Sequence, residues 1–160
     1  MAQDLRTGVV PWSPLKGGIL SGKYTRKNRG QEKTGRSAGA EAFLGDREYD
    51  IIDALEDIAK SKKVSPASVA LAWVISRPDV SSTLIGARTI KQIEQNLASL
   101  EVELSAGEIQ RLDDLSKPVL NFPAAFLTKG AYSLGQSGAT INGHKSVVAL
   151  LVPQSPEELY

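Results

Sequence analysis

From Arg47 onward apolar residues recur at three- and four-residue spacing, at Ile51, Ile52, Leu55, Ile58 and Ala59, with polar residues on the opposite side. That period predicts an amphipathic helix packed on a sheet. A second helix carries its own start signal, with Ser65 as cap and Pro66 at the first helical position, then Val69, Ala70, Trp73 and Val74 on an apolar face. Arg77-Pro78 ends it, because a residue before proline is pushed out of the helical region. Thr89 with Gln92 three residues later offers a capping box for a helix running to about Leu100, and Ser105 with Glu108 repeats the pattern before Ile109, Leu112 and Leu115. The intervening β-branched runs have no helical period. Residues 8–13, Gly-Val-Val-Pro-Trp-Ser, predict a short buried strand running into a turn, and 82–86, Ser-Thr-Leu-Ile-Gly, predict a second strand.

Two stretches lack a period. Between Gly17 and Gly45 the chain is glycine-rich and basic, with Lys23, Arg26, Lys27, Arg29, Lys33 and Arg36 answered only by Glu32 before residue 37, which reads as a long mobile loop. Beyond Pro118 the residues from Leu120 to Gly143 mix scattered apolar side chains with glycines, suggesting an extended tail that packs against something else. Residues 147–152, Val-Val-Ala-Leu-Leu-Val, read as a late strand or an exposed sticky segment, ended by Pro153. No internal repeat is visible. The organisation expected is one structured region, 1–118, followed by an irregular tail, 119–160.

Composition narrows the chemistry. A chain of 160 residues with 41% hydrophobic and 23% charged residues is ordinary for a soluble domain, so disorder throughout is not expected. A formal charge of +1 gives no global attraction to nucleic acid or anionic lipid, which leaves locally recognised small molecules. The basic loop lacks interleaved aromatics apart from Tyr24, so nucleic acid remains a minor reading. The absence of cysteine removes disulfides, thiolate nucleophiles and zinc–thiolate sites, and one histidine, His144, cannot build a multi-histidine metal cluster. No metal is expected. The start MAQDLRTG has no apolar signal core and the late apolar run is too short to span a bilayer, so no membrane partner and a cytoplasmic location are expected.

Two turns are candidates for ligand chemistry. In Gly86-Ala87-Arg88-Thr89 free amides and the dipole of the following helix favour an anion, Gly86 permits close backbone approach, and Arg88 can grip a phosphate with two donors. A plain strand-to-helix turn with a solvated arginine remains the commoner explanation of such a sequence. In Trp12-Ser13-Pro14-Leu15-Lys16-Gly17-Gly18 a strand ends in an indole, a hydroxyl and a glycine pair that lets main-chain amides approach a ligand. It is not a Walker loop, and a structural turn with Trp12 in the core stays open. Ser/His/Asp catalysis would need His144, for which no partner geometry is visible. Glu56 with Asp57 and Asp113 with Asp114 are adjacent on helices, point apart, and read as solvated faces.

The run Val10-Pro11-Trp12-Ser13-Pro14-Leu15-Lys16-Gly17-Gly18-Ile19-Leu20-Ser21-Gly22-Lys23-Tyr24 resembles the segment after the seventh barrel strand of aldo-keto reductases. Downstream, Ser65-Pro66-Ala67-Ser68-Val69-Ala70-Leu71-Ala72-Trp73 and Leu84-Ile85-Gly86-Ala87-Arg88-Thr89, with Gln92 and Asn96, are similar to that family's later helix, eighth strand and cofactor-binding helix. The resemblance covers residues 8–118 and extends toward Gly143; the last fifteen or so residues match nothing in the family pattern. It implies an α/β fold, a partial (β/α)8 TIM barrel made of about the last two strands, their helices and a C-terminal tail. The phosphate sites of such barrels often lie in the loops after strands seven and eight.

By the same likeness Trp12, Ser13, Pro14, Leu15, Gly17 and Lys23 line the pyrophosphate and ribose side of an NADP(H) cofactor, while Gly86, Arg88, Gln92 and Asn96 hold its adenosine end. Arg88 suits a 2′-phosphate, which favours NADP over NAD. The family's catalytic Asp, Tyr, Lys and His come from earlier strands, so the resemblance assigns no catalytic residue here and leaves enzyme activity of the chain itself undetermined. The expectation is a truncated aldo-keto reductase-like protein that binds NADP(H), whose full-length relatives reduce aldehydes or ketones by hydride transfer. Its exposed strand edges would be covered by a missing N-terminal half or another protein. Two alternatives stand beside it, a noncatalytic nucleotide-sensing or regulatory module and a non-functional fragment.

Overall fold

The computed structural model describes residues 2–29, 39, 43–129, 138–141 and 143–145. Lys33, Arg36 and Glu32 of the basic loop, the apolar run 147–152 and Pro153 lie outside them. Six helices occur among the described residues: α1 (Ala2–Leu5), α2 (Asp46–Lys62), α3 (Pro66–Ile75), α4 (Ile90–Leu97), α5 (Ala106–Ser116) and α6 (Ala124–Lys129). Short 3-10 turns cover Lys16–Ser21, Arg26–Asn28 and Ala98–Glu101. The chain divides into two units, residues 1–117 and 118–160.

The helices begin where their caps dictate. Ser65 accepts the Ser68 N–H at 3.0 Å, and Ser105 accepts the Glu108 N–H at 3.3 Å while Glu108 Oε2 takes the Ser105 N–H at 2.7 Å. Each bond satisfies an amide that the first helical turn leaves without a partner. α2 starts with the Gly45 N–H donating to Glu48 Oε2 at 3.0 Å and ends at Lys63, whose left-handed φ of 58° stops the helix.

α2 does not pack on a sheet. Its apolar stripe meets α3, α5 and the turn before it: Ala54, Leu55, Ile58 and Ala59 join Val69 and Ala70 of α3 and Leu112 of α5 in one cluster. Tyr49 and Ile52 join Ile19, Tyr24 and Leu44 in a second, and Leu20 packs against both. α3 is apolar on every side but for Ser68, whose hydroxyl donates to the Gln95 carbonyl at 2.7 Å, and is buried from Ala67 through Ala72. The early part of the loop read as mobile is therefore pinned, because Ile19 and Tyr24 are core residues.

The partial (β/α)8 barrel with two strands is not what forms. Residues 8–13 make two isolated parallel bridges, Val9 with Val80 ahead of the second segment and Trp12 with Leu84 within it, and no ladder. Three backbone bonds join the segments: Val9 N–H to the Asp79 carbonyl at 2.7 Å, Ser81 N–H to that of Val9 at 3.0 Å and Leu84 N–H to that of Pro11 at 2.9 Å. Pro11 has no N–H to extend them. Parallel pairs are normally sandwiched between layers. Here Trp12 is 78% and Leu84 59% exposed, so neither segment is the buried strand expected and Trp12 is not a core residue. The described molecule is accordingly helical, and its two-residue strands lie elsewhere, in the second unit.

In that second unit Ala124 N–H donates to the Asn121 carbonyl at 2.8 Å and Leu127 N–H to that of Pro123 at 2.8 Å, starting α6. Thr140–Ile141 (β1) pairs antiparallel with His144–Lys145 (β2), across Gly143 at φ 80°.

Gly22 ties the first turn to α3. Its φ is 87° and a built Cβ would stand 2.9 Å from Cγ of Pro66. Left-handed backbone costs a non-glycine residue roughly 1–2 kcal/mol, and the contact with Pro66 adds to it. Gly22→Ala is expected to lower the unfolding free energy in urea by at least that amount; an unchanged midpoint would show that the turn relaxes away from α3.

Candidate functional site

The two bridges run parallel, so both segments leave them at the same end. Ser13 follows Trp12, and Gly86 follows Leu84 by two residues. Two extended residues reach at most ~7 Å, so the two candidate turns begin side by side.

The first turn is a run of left-handed backbone. Ser13, Lys16, Gly17, Gly18 and Gly22 have φ of 53°, 48°, 64°, 94° and 87°. Lys16 N–H reaches the Ser13 carbonyl at 2.9 Å and Gly18 N–H that of Leu15 at 2.9 Å, closing it. Successive turns of this kind orient amides toward one concave side, an arrangement that suits anions. At Gly17 a built Cβ would meet nothing within 4 Å, so bare backbone faces open space. Ser13, Lys16, Gly17 and Lys23 are exposed, while Pro14 and Leu15 are half-buried. Beside Gly18 a built Cβ would lie 3.8 Å from Lys23 Nζ, which places that ammonium over the turn.

The second turn also offers bare backbone, since a Cβ at Gly86 would meet nothing within 4 Å. Thr89 accepts the Gln92 N–H at 3.2 Å, as its spacing predicts. The reciprocal bond is displaced by one residue: Gln92 Oε1 accepts the N–H of Arg88 at 2.8 Å, not that of Thr89. Gln92 therefore fixes the backbone from which Arg88 projects. The exposed Arg88 makes no ion pair among the described residues.

Asn96 stands apart from these surface groups. It is 5% exposed, and it lines a cleft of about 300 Å³ with Leu71, Val80, Thr83, Ile85 and Leu100. The structure thus brings the glycine turn, Lys23, Gly86, Arg88 and Gln92 to the surface, and sets Asn96 behind them in the layer between α3 and α4.

Several supporting residues escaped the sequence reading. Lys16 pairs with Glu48 at 3.1 Å, joining the glycine turn to α2. That ammonium holds the Glu48 carboxyl below its usual range, against the opposing effect of burial, with help from the Gly45 N–H. Arg77 holds Asp113 low at 3.0 Å, again against burial, and the Trp73 indole N–H adds a bond at 2.7 Å. Burial pushes Glu108 up, but the Ser105 N–H and the Lys62 ammonium outweigh it. Asp46, Asp50 and Asp53 recur along one face of α2, a spacing that could have signalled a docking face for the arginines before it.

Each depressed carboxyl stabilises the folded state above the unfolded carboxylate pKa, and the contribution disappears as pH falls through the lower folded value. The thermal midpoint is therefore expected to hold from pH 7 down to about 5 and to decline below about 4.5. Asp113→Asn should make that decline shallower. A midpoint that instead falls between pH 7 and 6 would contradict this assignment.

The first unit is thus a helical core that carries a left-handed glycine turn beside an arginine-bearing helix start. The sequence model of the aldo/keto reductase family matches residues 1–117. An uncharacterized oxidoreductase, YrpG, of Bacillus subtilis is 34% identical over 114 residues, covering 71% of this chain and 33% of the relative. The versiconal hemiacetal acetate reductase of Aspergillus parasiticus is 33% identical over 115 residues, 69% of this chain and 33% of its own length. Norsolorinic acid reductase B of Dothistroma septosporum is 27% identical over 160 residues, all of this chain and 37% of the relative, so similarity continues past residue 118. The chain belongs to the aldo/keto reductase family. It spans about a third of the length of these curated relatives. Among the described residues no helix is long and apolar enough to cross a membrane.

Proposed function

We propose that this chain binds NADP(H) as the nucleotide-holding part of an aldo-keto reductase. The observation that carries the reading is Arg88: an exposed guanidinium without a carboxylate partner among the described residues, braced through Gln92, at the same end of the paired segments as the glycine turn. A guanidinium in that state is available to a dianionic phosphate, with which it forms charge-assisted, two-pronged bonds.

The residues fit the nucleotide's anionic parts. Gly17 presents main chain, Ser13 a hydroxyl and Lys23 an ammonium to a pyrophosphate, with Pro14 and Leu15 as the half-buried floor. Trp12, its indole largely exposed, offers a flat apolar wall beside them. Gly86 leaves room for close approach, Arg88 takes the 2′-phosphate, and the Asn96 amide serves the base from within its cleft. When bound, the nicotinamide cofactor supplies hydride to a carbonyl carbon. Carbonyl reduction is then the property of the complete assembly, in which further polypeptide covers the exposed Val10, Leu84, Ile85, Ile93 and Leu97.

Titration of the folded chain with NADPH and with NADH, followed by Trp12 and Trp73 fluorescence, tests the reading. Saturable binding that favours NADPH is expected. Folded protein that binds neither nucleotide would overturn it, and turnover of an aldehyde by the isolated chain would overturn the assignment of catalysis to the larger assembly.

A further inference from the structure

Between the glycine turn and α2 lies a network that the sequence likeness does not assign. Arg26 Nε donates to Asp53 Oδ2 at 2.6 Å, its Nη2 donates to the Asp50 carboxylate, and the same nitrogen reaches the Asp46 carbonyl at 3.4 Å. Arg29 donates to Asp46 Oδ1 at 3.0 Å. Both guanidinium groups lie against the Tyr49 ring, at 5.6 and 5.2 Å from its centroid. Tyr49 is itself buried beside Tyr24 in the second cluster.

The chain that carries Arg26 is closed on itself. Thr25 N–H donates to Asn28 Oδ1 at 2.8 Å, and Asn28 Nδ2 donates to the Lys23 carbonyl at 2.9 Å. A hydrogen-bonded turn anchored at Arg26 therefore ties the backbone of Lys23, and the Lys23 ammonium lies over Gly18. An arginine can do this because its planar fork satisfies two carboxylates from one side chain. Isolated surface pairs contribute little, but several charges locked around an aromatic ring act as a unit.

We infer that Arg26 is a positioning residue for the anion site, holding Lys23 over the glycine turn by tying residues 23–28 to Asp50 and Asp53 of α2. It does not touch the ligand. That the held ammonium serves a nucleotide phosphate rests on the NADP(H) reading above; that Arg26 holds it does not.

The two claims separate experimentally. Amide hydrogen exchange on the full nucleotide-free chain is compared for the unaltered protein, Arg26→Ala, Arg26→Lys and the double variant Asp50→Asn/Asp53→Asn. Loss of the anchor should speed exchange across residues 18–25 by roughly three- to tenfold while the thermal midpoint moves little, as local opening does. Arg26→Lys should not restore protection, since an ammonium cannot span both carboxylates in the same geometry. NADPH titration of the same variants supplies the second readout. Positioning requires weaker binding both when Arg26 is removed and when its two carboxylates are. A purely electrostatic role shares the weaker binding without the arginine but differs in the rest: rescue by lysine, and tighter binding without the carboxylates.

Unchanged exchange at 18–25 in Arg26→Ala, or tighter nucleotide binding in the Asp50→Asn/Asp53→Asn chain, overturns the inference. If the unaltered chain binds no NADPH, the cofactor reading fails and exchange alone decides the role of Arg26. All these side chains are at least two-fifths exposed, so the substitutions should leave the buried clusters intact, which circular dichroism of each variant checks.

Discussion

Leu112→Ala is expected to destabilise the first unit by roughly 2–5 kcal/mol, the range for deleting a buried leucine side chain. Leu112 is 3% exposed and is the buried residue through which α5 enters the cluster of Ala54, Leu55, Ile58, Ala59, Val69 and Ala70. Leu115 packs against the same cluster only partly buried, and the other ties of α5 are polar: Glu108 with Lys62 at 3.0 Å, Arg111 with Asp57 at 2.9 Å and Asp113 with Arg77 at 3.0 Å. Partly exposed pairs of this kind contribute little each, so they cannot hold the helix once its apolar anchor is gone. The thermal midpoint should fall by roughly 10–20 °C, given the few degrees per kcal/mol typical of a domain this size. Calorimetry checks it, and a fall of under about 3 °C would mean that α5 is not docked through Leu112.

The second large effect concerns recognition. Arg88→Ala is expected to weaken NADPH binding by roughly 10- to 150-fold, the equivalent of one charge-assisted hydrogen-bonding group, and to leave NADH binding within about twofold. The substitution keeps the backbone N–H that donates to Gln92 Oε1 at 2.8 Å, so the start of α4 survives and stability should not change. Equal weakening of both nucleotides would move Arg88 from the 2′-phosphate to the shared pyrophosphate. No weakening of either would leave it a solvated surface arginine.

α2, α3, α4 and α5 were legible because their signals are local, whereas α6 forms within the stretch read as an extended tail without a helical period. Ser65, Thr89 and Ser105 each reach an amide three residues on, and Pro66 needs no partner for the N–H it lacks. The capping box at Thr89 shows how fine the limit is: its forward bond formed as expected, while the return bond from Gln92 settled on Arg88. A shift of one residue along the backbone lies within the reach of a flexible side chain, and spacing alone does not resolve it.

Strands fared differently. The apolar runs at Val9, Val10, Leu84 and Ile85 look like buried strands, but a ladder needs neighbours on each side and layers above and below. The described chain supplies one neighbour and a proline at Pro11, and only two bridges result. The candidate site was partly legible for similar reasons. Gly17, Gly18 and Gly22 announced an unusual turn, whereas the left-handed backbone of Ser13 and Lys16 depends on how that turn closes against α2 and α3.

The sequence by itself determined where α2, α3, α4 and α5 begin, where glycine relieves the backbone, and the likeness to aldo/keto reductases that the family match confirms. Each of these rests on hydrogen bonds or steric limits within a few residues, or on motifs read directly. Only the tertiary structure decided that Asn96 is buried while Arg88 is not, that Arg26 is held by carboxylates of α2, and that the two apolar runs meet in single bridges. Burial and charge pairing belong to residues that lie tens of positions apart along the chain, and the packing of α2, α3 and α5 sets which of them meet.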